Sequence, residues 1–239
     1  MRANVDSAAR RIDFAQAAGL AAFGIAIVVL WNTWALYPLR LLVVFFHELS
    51  HGIAAVVTGG SIVEIRMTAQ EGGLCITRGG VPFVTLSAGY LGSLVWGGGL
   101  LIVATRTKGS QIAIELLGAL LLVVTLVWVR PMTGFGFAFG LGAGLALIAA
   151  AYAFKSIFNE LALTAIGLTS VLYAVLDIKS DILDRPQAVS DAVLLAQATG
   201  VPALVWGVLW FGVSLMLAVR FVIVASRRTT PAHTATTSV

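Results

Sequence analysis

The sequence predicts an all-α polytopic membrane protein of about seven transmembrane helices, with a small β-hairpin between the second and the third. Three observations carry that prediction. Of the 239 residues, 59% are apolar and only 11% are charged, where a soluble domain carries about 25% charged residues. Apolar runs long enough to cross a bilayer recur along nearly the whole chain. Between Gly59 and Gly80 the hydrophobic period changes from helical to two. These runs leave no room for a separate soluble domain. Residues 1–16 are expected to form a cytoplasmic segment, 17–225 a single membrane domain, and the Ser/Thr-rich residues 226–239 a disordered tail. The net charge of +4 is spread over loops and ends, which suits membrane topology and argues against a nucleic-acid partner. One cysteine, Cys75, excludes an intramolecular disulfide and a cysteine-based zinc site.

The first apolar run, Ala17–Leu36, is too long for a signal-peptide core and reads as a retained span. Trp31, Trp34 and Tyr37 near its end suit an interfacial belt. Pro38 breaks the helix, and Arg40 marks the boundary of the second span, Leu39–Thr58. In Gly59–Gly80, Val63, Ile65 and Met67 alternate with Glu64, Arg66 and Thr68, and Leu74 and Ile76 with Cys75 and Thr77. This period of two predicts a hairpin over 61–78, although an amphipathic loop fits the pattern equally well. A hairpin edge carrying Ile62, Val63 and Ile65 could hold an extended peptide by strand addition. Further spans are Val81–Ala104, Ile112–Val129, Gly134–Phe154, Glu160 to about Leu176, and Ala203–Ala225. Gly89, Ser93 and Gly97, and likewise Gly136, Gly140 and Gly144, recur every four residues, a spacing read as close helix packing. Asn159 and Glu160 are read as interfacial. Ser190 reads as the N-cap of a short helix to Thr199.

The second span contains His47-Glu48-Leu49-Ser50-His51. On a helix, residues four apart share a face, so both imidazoles can reach one zinc ion. Glu48 lies beside His47, placed to take a proton from a water at the metal without being a ligand. His47 is about 10 Å along the helix from Arg40, which puts the motif deep in the membrane, toward the Gly59 end. Ionisable groups at that depth are costly and mark function; hydrolysis there also requires a cavity for water. The bland alternative is a pair of hydrogen-bonded buried histidines.

A zinc ion held by two histidines takes a third protein ligand, commonly a carboxylate. Asp177 and Asp181, four apart at the end of the sixth span, share a helical face if the helix continues. The second and sixth spans are both even-numbered, so their C-terminal ends lie on one side and Asp177 can approach His51. Without the histidine motif, this stretch would read as a solvated acidic loop. Orientation conflicts with the count. Arg2, Arg10 and Arg11 place the N-terminus in the cytoplasm, and Arg220, Arg227 and Arg228 ask the same of the C-terminus. Seven full spans cannot satisfy both, so either the charge rule fails at one end, one segment is re-entrant, or the count is off by one.

The motif His47–His51 in a membrane span, followed by Thr58-Gly59-Gly60 and a small-residue-rich span, resembles the site-2 protease type of intramembrane zinc metallopeptidase, in its compact peptidase-like branch. The stretch Asp177…Asp181…Arg185 followed by Ser190-Asp191-Ala192 is similar to that branch too. The resemblance implies a Zn²⁺ ion held by His47, His51 and a distant aspartate, with Glu48 activating water. It also implies a transmembrane protein substrate, cut within or near the bilayer after unwinding onto the hairpin. Better-known members carry the third ligand in Leu-Asp-Gly, whereas here Ile178 follows Leu176-Asp177. Asp177 is the expected third ligand and Asp181 the next candidate; Asp191 is read first as a helix-start residue and comes third among the candidates. The expected location is a bacterial cell membrane. Rival readings are a catalytically silent pseudoprotease that binds membrane segments, and an ion-translocating protein using His47, Glu48 and Asp177; the absence of an obvious internal repeat argues against the latter.

Overall fold

The computed structural model describes residues 12–184 and 189–227. The expectations for residues 1–11, for Arg185 and for the tail from Arg228 onward lie outside them. The chain runs α1 (Phe14–Val29), α2 (Tyr37–Val57), β1 (Ser61–Met67), β2 (Gly73–Arg78), α3 (Pro82–Arg106), α4 (Ser110–Trp128), α5 (Phe135–Ala153), α6 (Ser156–Lys179), α7 (Asp191–Thr199) and α8 (Ala203–Ala225). A π-helical turn, Ser180–Asp184, extends α6.

Among the described residues, six helices, α2 to α6 and α8, are long and apolar enough to cross a membrane. The protein is an integral membrane protein on that architecture. The first expected span is shorter than its sequence suggests: α1 has 16 residues, about 24 Å of helix against a hydrocarbon core of about 30 Å. It starts at the Asp13 N-cap and gives way to turns at Leu30. Arg40, expected at the boundary, is buried inside the bundle. Its guanidinium donates to the Trp31 carbonyl and pairs with Glu71 at 2.7 Å. The Asp13 N–H donates to the Ser226 carbonyl at 2.7 Å, and Arg106 donates to the Val224 and Arg227 carbonyls at 3.0 and 2.9 Å. The start of α1 and the ends of α3 and α8 therefore share one face.

β1 and β2 pair antiparallel from Ser61↔Arg78 to Met67↔Gly73, with an irregularity between Ile62 and Glu64. The hairpin folds back along α2 instead of standing away from it. α2 ends as Gly59 takes a positive φ of 90°, a conformation open to glycine, and the Gly60 N–H bonds the Ala55 carbonyl at 2.7 Å. Ile62 then packs where Gly52 has no side chain, and the Tyr37 hydroxyl donates to Ala69 O near the hairpin tip at 2.6 Å.

The largest core cluster surrounds α2, with Phe45, Phe46 and Leu49 against Ile114, Leu121, Leu163 and Ile65. α3 and α6 pack backbone to backbone where a Cβ at Gly97 would meet the Gly167 carbonyl. Gly140 and Gly144 of α5 sit on Thr125 and Leu122 of α4. Asn159, expected at the interface, is 2% exposed; its amide donates to the Ala151 carbonyl at 3.3 Å and satisfies the end of α5.

Candidate metal centre

His47 and His51 stand one turn apart on α2, both buried. Their rings lie edge to face, with centroids 4.8 Å apart. The His51 Nδ1 is 2.7 Å from the Thr85 carbonyl of α3. A carbonyl only accepts, so Nδ1 carries the proton there and Nε2 is left as a lone-pair donor. Tyr90 of α3 and Tyr173 of α6 hold the His47 ring edge-on, at centroid distances of 5.8 and 6.3 Å.

The residue that meets both imidazoles is Asp191. Its Oδ2 lies 3.2 Å from His47 Nε2 and 3.2 Å from His51 Nε2. Asp177, the expected third ligand, lies instead on the opposite nitrogen of His47, with Oδ2 3.8 Å from Nδ1. Asp181 accepts the Tyr90 hydroxyl at 2.7 Å. The reason lies in the chain path. α6 runs on through Asp177 behind the His47 ring, and α7 brings its first residue back against α3. Ser190 does cap α7, its Oγ accepting from the Val193 N–H at 3.4 Å. The helix-start residue and the residue facing the histidines are therefore the same aspartate.

The arrangement fits a metal ion. Among the described residues, His47, His51 and Asp191 each offer one ligand atom, all within 4.8 Å of one another. Asp191 Oδ2 is buried and has no hydrogen-bond donor; a cation bound there would satisfy its lone pair instead. A Cβ at Gly89 would strike His47 Nε2 and Asp191 Oδ2, so this glycine of the α3 stripe leaves room at the cluster as well as packing space. Two imidazoles and a carboxylate, with a fourth position left to water, is a common set for catalytic zinc.

Glu48 is buried and lies against the hairpin. A Cβ at Gly73 would collide with its carboxylate, and the backbone of Cys75 makes a hydrogen bond to it. Burial, then the charge of Glu48, push the Cys75 thiol up to about 12, so it stays protonated. Of the hairpin residues expected to meet a peptide, Ile65 is fully buried and Val63 is half exposed. The outer edge of β1 is taken at Ile65, which bridges to Val129 and accepts the Arg130 N–H at 2.9 Å.

Two openings adjoin the site. A polar cavity of about 220 Å³ lies between the hairpin tip and the end of α6, lined by Gln70, Glu71, Tyr173, Asp177 and Ser180. An apolar groove of about 540 Å³ runs between α2 and α3, lined by Ile53, Val57, Phe83, Val84 and Trp96 and reached by Trp210 of α8. Sequence reasoning missed Thr85, Tyr90, Tyr173 and Gly73; only Gly89 carried a signal, as part of a repeated small-residue spacing.

The family model described as Peptidase M50B-like matches residues 20–221. No curated protein and no solved structure matches the chain.

Proposed function

The chain belongs to the Peptidase M50B-like family, and on that premise we propose that it is a zinc-dependent intramembrane endopeptidase of the site-2 protease type. His47, His51 and Asp191 would hold the ion. The observation that carries this reading is the single Asp191 oxygen lying 3.2 Å from both Nε2 atoms. When bound, zinc supplies Lewis acidity toward a water and a peptide carbonyl. Glu48 takes the proton from that water and delivers it to the leaving amide nitrogen. Its position against Gly73 and Cys75 keeps it out of the ligand set and next to β2.

The substrate is a membrane-embedded segment of another protein. The groove of Ile53, Val57, Phe83 and Trp96 suits an apolar helix arriving from the bilayer. Since Val129 and Arg130 occupy the outer edge of β1 at Ile65, β2 offers the edge on which an unwound segment adds as a strand. The polar cavity at Asp177 and Tyr173 offers water a way to the site.

Glu48→Gln tests the mechanism. The variant is expected to keep its zinc and to lose cleavage of a transmembrane substrate by at least about 100-fold. Undiminished cleavage would remove Glu48 from the chemistry.

A further inference from the structure

His47 has two ring nitrogens, and the ligand set uses one. Nε2 faces Asp191, while Nδ1 is buried without a hydrogen-bond partner, 3.8 Å from Asp177 Oδ2. A neutral imidazole that gives its Nε2 lone pair to a cation carries its proton on Nδ1 and needs an acceptor there. His51 has that acceptor in the Thr85 carbonyl. For His47 the acceptor in place is a carboxylate. A movement of about 1 Å brings the pair into the range of a charge-assisted hydrogen bond. Asp177 has space for it, since its side chain borders the polar cavity. Tyr90 and Tyr173 limit rotation of the ring, so Nδ1 stays on the Asp177 side.

We infer that Asp177 is a positioning residue whose carboxylate accepts the Nδ1 proton of His47, fixing the tautomer that presents Nε2 to the ion and raising its donor strength. The two aspartates then divide the work: Asp191 on the metal side of the ring, Asp177 behind it. This rests on the ligand set His47, His51 and Asp191.

The test is zinc affinity by chelator competition on the detergent-purified full chain, with cobalt absorption spectra reporting the ligand set. Asp177→Ala is expected to bind zinc about 10- to 100-fold more weakly while keeping the wild-type cobalt spectrum. Asp177→Asn keeps an acceptor without the charge and falls between; it decides the matter where the alanine variant does not fold. Asp191→Ala loses the wild-type spectrum. Wild-type zinc affinity in both Asp177 variants overturns the inference and leaves the ligand set intact. A spectrum lost in Asp177→Ala and kept in Asp191→Ala overturns the ligand set itself, making Asp177 a ligand.

Discussion

α2 and α8 are both apolar helices of crossing length, yet they are opposites in what surrounds them. In the most apolar stretch of α2, 78% of residues are buried; in that of α8, 11% are. α2 is wrapped by α3, α6 and the hairpin, and only such a position lets a helix carry Arg40, His47, Glu48 and His51 away from lipid. α8 presents Val205, Val208 and Val219 outward and places few polar groups anywhere. The difference teaches that apolar length identifies both helices as spans, while polar content within that length identifies the one at the centre.

Two pairs of substitutions would sharpen or break that contrast. The larger effect is expected from glycines. Gly89→Ala on α3, facing α2, drives a methyl group into His47 Nε2 and Asp191 Oδ2. It should weaken zinc binding by more than the roughly 100-fold that losing an outer hydrogen-bond partner costs. Gly212→Ala on α8 meets nothing within 4 Å and should bind zinc as the wild type does. Equal zinc affinities would mean that the cluster is looser than its geometry indicates. The smaller effect concerns packing. Phe45→Ala on α2, a fully buried ring, opens a cavity and should cost about 3 kcal/mol in reversible unfolding from mixed micelles. Val208→Ala on α8, 63% exposed, should stay within about 0.5 kcal/mol. Similar costs would contradict the assignment of α2 as the packed centre.

Helices α3 to α8 and the hairpin were legible because apolar length, Pro and Gly breaks and period-two alternation are local signals. α1 is shorter than its apolar run: it ends at Val29, and the chain then turns so that the Trp31 carbonyl meets Arg40 of α2, a tertiary contact that no local signal marks. His47, Glu48 and His51 were legible because their spacing is itself the geometry. The residue facing them was ranked by nearness to an apolar span, which favoured Asp177. Asp191 sits at a capped helix start, where sequence gives no indication of which way the carboxylate turns. Only the return of α7 onto α3 sets that direction.

The central claim is that Asp191 joins His47 and His51 in one metal site. Elemental analysis of purified wild type, His47→Ala and Asp191→Ala tests it most directly. About one zinc per chain in wild type, and none in either variant, is the predicted result. A full zinc complement in Asp191→Ala would contradict it.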